Sequence, residues 1–370
     1  MSRNKITNSA AAVLAVICFL VGFAGGLFGG YMRADDDTES DSIVSGSLSV
    51  HFPELGSKHT GDCTYIKAGD VDILIDAGAR KASIAEITDY IDRYVTDGKL
   101  EYVIVTHAHE DHYAGFAVNE STDSIFDLYD IGTIIDFPIT NQTEDSTLYK
   151  NYQRELDEAV ERGAVHYTAA QCIRTGKDIF DLGNGIELKI LDSFFYYNKT
   201  SGENNYSVCT MITKGSEKYL FTGDLEKDGE EKLVEMNELS HVTLYKAGHH
   251  GSSTSSSDTL LSAITPEYVC VCCCAGSSEY SDSPKSQYPT QVFCDRIAKY
   301  TENVYVTTLC LDYENNKFTS FNGDIVLTSD ADGIRIDCSG SSLPLYKSDW
   351  FKENRDCPDE WKKSSDRKAA

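Results

Sequence analysis

Five of the nine histidines fall in two short runs, Thr106-His107-Ala108-His109-Glu110-Asp111-His112 and Gly248-His249-His250-Gly251, with Thr222-Gly223-Asp224 between them. Neutral imidazole and carboxylate are a ligand set that suits zinc, and a site short of protein ligands keeps a position for water, which ionises near neutral pH on the metal. The chemistry these residues point to is metal-dependent hydrolysis. The first run follows Leu100-Glu101-Tyr102-Val103-Ile104-Val105, an apolar, β-branched stretch that predicts a buried strand. Side chains alternate along extended chain, so His107 and His109 point the same way and can share one ion, while Glu110 is sent towards solvent. Asp111 and His112 come after the turn and reach a second ion only where the backbone curls around the site. A two-metal cleft is the natural outcome.

Other elements must carry these residues. Strands are predicted at 71–75, 102–106, 186–191, 208–213, 218–221, 241–245, 268–274, 304–309 and 324–327, from short apolar runs bounded by turn residues. Ser83-x-x-Glu86 has the form of a capping box, and Ile84, Ile87, Ile91 and Val95 recur at helical spacing before Gly98, so a helix is predicted between two of the strands. Gln291 to Tyr300 is also predicted helical. Asp62 and Asp76 precede or end strands; each is either a turn residue or a carboxylate standing behind a ligand histidine.

The motif His107-x-His109-x-Asp111-His112 resembles the signature of the metallo-β-lactamase superfamily. Gly61-Asp62-Cys63, Leu74-Ile75-Asp76-Ala77-Gly78, Asn204-Asn205-Tyr206-Ser207, Leu220-Phe221-Thr222-Gly223-Asp224 and Lys246-Ala247-Gly248-His249-His250-Gly251-Ser252 follow in the order seen in one branch. That branch resembles the extracytoplasmic hydrolase domain of the ComEC competence proteins and the phosphorylcholine esterases. The resemblance runs from about residue 46 to 335. It implies an α/β fold, a four-layer αββα sandwich with its metals in a groove at one edge. It also implies two divalent ions, zinc by preference: His107 and His109 on the first, Asp111 and His112 on the second, Asp224 between them, and one of His249 and His250 completing the second site. Most relatives give the first ion a third histidine, but no histidine lies between His166 and His241, and Asn204-Asn205 stand in the expected place. An asparagine carbonyl is a harder, weaker ligand, which opens the first site to manganese or magnesium. His59 is a substitute ligand to test.

Arg3 and Lys5 precede an uncharged stretch from Ile6 to Met32, whose part from Ala10 to Tyr31 is long enough to cross a hydrocarbon layer as a helix. Basic residues before it and Asp35-Asp36-Asp37 after it favour a cytoplasmic N-terminus. The expected organisation is an anchoring transmembrane helix over 1–33, with a cleavable signal peptide as the competing reading, an acidic linker over 34–46, a catalytic domain outside the cytoplasm over 47–338, and a C-terminal tail over 339–370. Gly22, Gly26 and Gly30 repeat at four-residue spacing, as in helices that pack closely in membranes. With 33 basic and 59 acidic residues the net charge is −26, a field that repels polyanions. Lys199, Lys214, Lys218 and Lys246 lie near the motifs and are the residues a local basic patch would use. Most of the twelve cysteines read as small core residues, Cys270, Cys272 and Cys274 on one face of a strand with Cys273 opposite. Cys338 and Cys357 are the pair best placed for a disulfide.

The expected activity is phosphodiester hydrolysis by hydroxide held on the metal, oriented by Asp111. Whichever of His249 and His250 is not a ligand would hydrogen-bond the phosphoryl oxygen or protonate the leaving group, with Ser252 and Ser253 as further donors. The expected partner is a small or cell-envelope phosphoester. A ComEC-like nuclease for single-stranded DNA and a non-catalytic binding protein of the same fold are the alternatives. Oligomeric state is left open.

Overall fold

A computed structural model describes residues 46–363 of the chain. The anchor expected over 1–33, with its glycine repeat, and the linker up to residue 45 lie outside the described residues, as does 364–370. Among the described residues no helix is long and apolar enough to cross a membrane.

Two eight-stranded sheets form the frame. The first begins with β1 (Leu48–Phe52), β2 (Cys63–Ala68), β3 (Val71–Ala77), β4 (Lys99–Val105), β5 (Asp130–Asp136) and β6 (Val165–Thr168). The chain then builds the whole of the second: β7 (Ile179–Gly183), β8 (Ile186–Ile190), β9 (Thr210–Lys214), β10 (Glu217–Phe221), β11 (Leu244–Lys246), β12 (Tyr268–Ala275), β13 (Val304–Asp312) and β14 (Lys317–Ser320). It returns to the first with β15 (Ile325–Asp330) and β16 (Gly333–Cys338), giving the order β16-β15-β1-β2-β3-β4-β5-β6 beside β14-β13-β12-β11-β10-β9-β8-β7. In each sheet four consecutive strands are parallel, β3 to β6 and β10 to β13. Parallel neighbours need helical crossovers, which cover the outer faces.

The burial pattern confirms the layering. Along β8 the alternation is strict: Ile186, Leu188 and Ile190 are buried, Glu187 and Lys189 exposed. These three join Val50, Tyr65, Ile73 and Ile104 of the first sheet in one cluster, which extends to the helices α1 (Ser83–Ile91), α3 (Ile125–Leu128) and α4 (Thr147–Glu161). Between α1 and α3 lies a single turn, α2 (Glu110–Tyr113), which belongs to the site. On the far side Leu220, Tyr245, Val271 and Val306 pack with Leu233, Leu261 and Phe293. Those come from the outer helices α6 (Lys227–Met236), α7 (Asp258–Ile264) and α8 (Gln291–Ile297), α5 (Ala169–Thr175) having preceded them. The expected αββα arrangement is therefore present.

Three local expectations are corrected. The helix after Gly78 forms, with Ile84, Ile87 and Ile91 buried, but Ser83 lies inside it instead of capping it; its Oγ accepts from the Ala79 and Arg80 amides, and Glu86 lies against Gly56. A register shift between Val271 and Cys274 interrupts the alternation in β12, so Cys270 and Cys272 face the inner cluster and Cys273 the outer, while Cys274 falls beyond the bulge. Cys338 packs against the first cluster and Cys357 against the second, both as free thiols, so they are not a disulfide.

The segment after Cys338 is part of the second core. It contains α9 (Asp349–Asn354), and Trp361 is fully buried against Tyr346 and Phe351, its indole N–H donating to the Thr301 carbonyl at 2.8 Å.

Candidate metal centre

The site stands at the C-terminal ends of the parallel strands in both sheets, where open α/β sheets commonly bind ligands. Thr106 to His112 follow β4, Asp224 follows β10, and His249-His250 follow β11. Asp62 and Asp76 come from the edges of β2 and β3. Close backbone approach makes this possible: a Cβ on Gly78 would fall 2.5 Å from the carbonyl of Asp111, and Gly223, at φ 53°, lies against Ser207 and Thr106. The Asp62 amide donates to the Asp111 carbonyl at 2.9 Å, tying the two loops together.

Four side chains converge. Nε2 of His112 lies 3.1 Å and Nε2 of His250 lies 3.3 Å from Oδ2 of Asp224, and His250 Nε2 is also 3.4 Å from Oδ2 of Asp111. All four are buried. Behind them Asp76 Oδ2 accepts from Nδ1 of His112 at 2.7 Å, and Nδ1 of His250 bonds to the Cys272 carbonyl at 3.0 Å, with Asp62 Oδ1 3.1 Å away. Such partners fix which ring nitrogen faces inwards. Asp76 is itself held at φ 59° and accepts from the Thr106 amide and hydroxyl at 2.8 and 2.7 Å. Asp62 is paired with the buried ammonium of Lys246, which lies 4.0 Å from Asp224. Both carboxylates, open to two readings in the sequence, thus stand behind imidazoles.

His107 and His109 face one another beside this group, Nε2 to Nδ1, at 3.0 Å. His249 takes the outer side: its Nε2 is 3.8 Å from Asp224 and 3.2 Å from the Tyr288 hydroxyl, and its Nδ1 is 3.1 Å from the Thr254 hydroxyl. Both His249 and His250 sit at positive φ, 49° and 53°. Non-glycine residues in this region are uncommon, and strain of this kind persists where the surroundings over-determine it. Asn204 approaches His249 at 3.4 Å, whereas Asn205 is structural, accepting from the Glu226 amide.

The donor set fits divalent cations. Nε2 of His112, Nε2 of His250, Oδ1 of Asp224 and Oδ1 of Asn204 are buried without a hydrogen-bond partner, although buried polar atoms nearly always have one. The two ring nitrogens lie 3.1–3.4 Å from carboxylate oxygens without making a hydrogen bond, the arrangement a cation between them would satisfy. Asp62, His112, Asp224 and His250 each offer a ligand atom within 4.8 Å of the others.

Electrostatics point the same way. Burial alone would lower the His112 pKa, but Asp224, Asp76 and Asp62 outweigh it and push it up to about 10. His250 is raised for the same reason, by Asp224 and Asp62. Burial would raise Asp224 and Asp111, yet the imidazoles around them hold both well below the usual carboxylate range. His107, with no carboxylate behind it, is depressed by burial and by His112. Without metal, protons on His112 and His250 neutralise the carboxylates; a divalent cation displaces protons in taking their place.

Several expectations are corrected here. His59 does not join the cluster: its Nδ1 is 2.7 Å from Glu279, which also accepts from the Thr60 amide and from Arg80. Lys246 is buried and paired with Asp62, so it is not part of a surface patch with Lys199, Lys214 and Lys218. Glu110 is half-exposed, as expected. Sequence reasoning missed Tyr280, whose hydroxyl donates to Asp111 Oδ2 at 2.8 Å, and Tyr288, whose ring stacks on His250 with centroids 6.0 Å apart. Burial raises both phenol pKa values, so both keep their protons at neutral pH. Nothing in their local sequence separates them from the other twenty tyrosines.

Residues 57–118 match the Metallo-beta-lactamase superfamily. Competence protein ComA of Neisseria gonorrhoeae is 37% identical over 102 residues, 27% of this chain and 14% of that protein. ComE operon protein 3 of Bacillus subtilis (strain 168) is 30% identical over 67 residues, 18% of this chain and 9% of that protein. The matched stretches are thus a small part of these relatives' length. Among solved structures, the metallo-beta-lactamase fold protein YhfI from Bacillus subtilis aligns with a TM-score of 0.40 and 12% identity, over 71% of this chain and 96% of that one. Part of the chain is thus similar to the metallo-β-lactamase superfamily, and stretches of it are similar to competence proteins, as its motifs imply. Its Asp and His side chains form a candidate metal site.

Proposed function

We propose that this protein is a phosphodiesterase, anchored in the membrane by its N-terminal segment and acting outside the cytoplasm on a small or cell-envelope phosphoester. The observation that carries the reading is the convergence of His112, His250, Asp111 and Asp224 through contacts of 3.1–3.4 Å, with Nε2 of His112, Nε2 of His250 and Oδ1 of Asp224 left without a hydrogen-bond partner. His107 and His109 would hold a first divalent ion and Asp111, His112 and His250 a second, with Asp224 shared by both. Zinc suits the imidazole-rich second site; an Asn204 carbonyl beside the first admits manganese or magnesium.

When bound, the ions supply an acidic water and positive charge for both the attacking and the departing oxygen. The chain's own residues do the rest. Asp76 sets the tautomer of His112 and the Cys272 carbonyl that of His250, with Asp62 supplying negative charge beside it. Asp111, held by Tyr280, orients the attacking water, and His249 on the outer side faces the phosphoryl oxygen or the leaving group. The net charge of −26 disfavours a polyanionic substrate.

Nuclease action on single-stranded DNA is the second reading, supported by similarity to the competence proteins. An assay of the metal-loaded protein with bis-p-nitrophenyl phosphate, p-nitrophenyl phosphorylcholine and labelled single-stranded DNA, beside its measured metal content, separates the two. Turnover of the small diesters is expected. Cleavage of DNA alone would install the nuclease reading, and a metal-loaded protein active on none would make it a binding protein.

A further inference from the structure

The loop of residues 276–290, which follows β12, brings Tyr280 and Tyr288 to the metal centre. Its base is closed by the Gly276 amide, which donates to the Tyr288 carbonyl at 2.8 Å. Its inner side rests on the site: Thr290 N–H donates to the Gly251 carbonyl at 2.8 Å, and a Cβ on Gly251 would lie 2.6 Å from Pro289. Glu279 fastens the middle through His59, Thr60 and Arg80.

The outer side is fastened by the C-terminal segment. Arg355 is buried, 5% exposed, and spends its guanidinium on the backbone. Nε donates to the Pro289 carbonyl at 3.1 Å, Nη2 to that of Gln287 at 2.8 Å, and Nη1 to those of Pro284 and Asn354 at 2.8 Å each. Three of those four carbonyls belong to the loop, and two flank Tyr288. The planar fork of arginine suits such a task and a lysine ammonium does not. Trp350 lies beneath the guanidinium at 4.8 Å and packs on Gly276, where a Cβ would come within 2.8 Å of its indole nitrogen. Gln291, just past the loop, exchanges two hydrogen bonds of 2.9 Å with the backbone of Asp356. The fold does not need this much fastening at a surface loop; the position of what the loop carries does.

We infer that the C-terminal segment 345–361 is a clasp for this loop, in which Arg355 is a positioning residue that holds the Tyr288 hydroxyl at the metal centre to donate a hydrogen bond to a phosphoryl oxygen. The inference rests on the phosphoester reading above. Tyr288 is the catalytic partner, reaching the same side of the site as His249, and Arg355 acts only through it. No bond is made or broken by Tyr288; its proton stays on the phenol and strengthens its hold as charge grows on the phosphoryl oxygen.

Three variants of the full, metal-loaded chain test this: Tyr288→Phe, Arg355→Met and the double variant. Tyr288→Phe is expected to lower kcat on bis-p-nitrophenyl phosphate by about 100-fold with KM within about twofold, and to weaken binding of inorganic phosphate, measured by titration calorimetry, by about tenfold, at unchanged metal content. Arg355→Met should reproduce most of both losses and speed amide exchange at residues 284–290, while the double variant is no worse than Tyr288→Phe alone. Should Arg355→Met not fold, Arg355→Lys replaces it with the same expectations. Wild-type kcat and phosphate affinity in Tyr288→Phe, unchanged exchange in the Arg355 variant, or losses that multiply in the double variant would each overturn the inference. If the parent protein turns over none of the esters, the phosphoester reading fails by itself; phosphate affinity and amide exchange still decide for or against the donor and the clasp.

Discussion

His51 in β1 and His112 at the metal centre are both fully buried, yet their surroundings drive them in opposite directions. His51 lies among Tyr65, Tyr90 and Tyr94, hydrogen-bonded to the Tyr90 and Ser49 hydroxyls at 2.8 and 2.7 Å. Burial, with some help from Arg93, lowers its pKa to about 3. His112 suffers the same burial, but three carboxylates turn the balance and take it to about 10. A packed imidazole and a site imidazole are therefore told apart by what stands behind the ring, not by how deeply it lies. A second contrast lies within the site. Asp76 faces the His112 imidazole and the Thr106 donors but no lysine and is raised by burial, whereas Asp62 is matched by Lys246 and is lowered. The His112 side of the centre is therefore the more negative, and His250 comes with a resident cation close by.

The largest expected effect breaks the site itself: Asp224→Ala or His112→Ala should abolish turnover, by about 10³-fold or more, while circular dichroism and the unfolding midpoint show a folded domain. Retained activity would remove these residues from the mechanism. Next come the two supporting carboxylates. Asp76→Asn and Asp62→Asn should each weaken metal binding by roughly 10- to 100-fold, but only Asp62→Asn leaves Lys246 buried without its partner, at a stability cost of about 3–5 kcal/mol. Equal losses of stability in the two variants, measured by urea unfolding, would contradict the asymmetry.

A smaller effect concerns pH in the metal-free protein. His51, depressed in the folded state, lends stability that is present above about pH 6.5 and is lost as pH falls towards 3, because the unfolded chain takes up the proton first. His112, raised in the folded state, lends stability that is present below about pH 6.5 and is lost as pH rises towards 10. His51→Gln should flatten the acid limb, by roughly 3 kcal/mol between pH 6.5 and 4.5, and Asp76→Asn the alkaline limb. Unfolding curves with unchanged limbs would refute the opposed environments. Smallest of all, Glu110→Gln, within the motif yet half-exposed, should change stability by less than about 0.5 kcal/mol.

Much of this was legible in the residues. The run Val103-Ile104-Val105 reads as buried strand because β-branched side chains suit a pleated, covered sheet, and β4 ends at Val105 as that reading requires. The helix at 83–91 followed from its isoleucine spacing. Its cap did not, because Ser83 can serve the amides of the preceding turn equally well. Regular alternation in β12 failed at a bulge, which depends on the neighbouring strand β13 and leaves no mark in the cysteines themselves. Long helices such as α4 and α6, rich in charge on their outer faces, leave little trace in the sequence because few apolar positions mark their buried side.

The sequence by itself determined the chemistry available: imidazoles and carboxylates in short runs after apolar strands, in an order that resembles one superfamily. Local spacing suffices for that, since ligand type and strand ends are properties of a few consecutive residues. Only the tertiary structure decided which carboxylate stands behind which ring, that His250 faces inwards while His249 meets Tyr288, that Lys246 is matched to Asp62, and that Arg355 reaches back to carbonyls at 284, 287 and 289. These are contacts between segments up to 188 residues apart, as His250 and Asp62 are, and their partners are chosen by how two sheets and their loops close on one another.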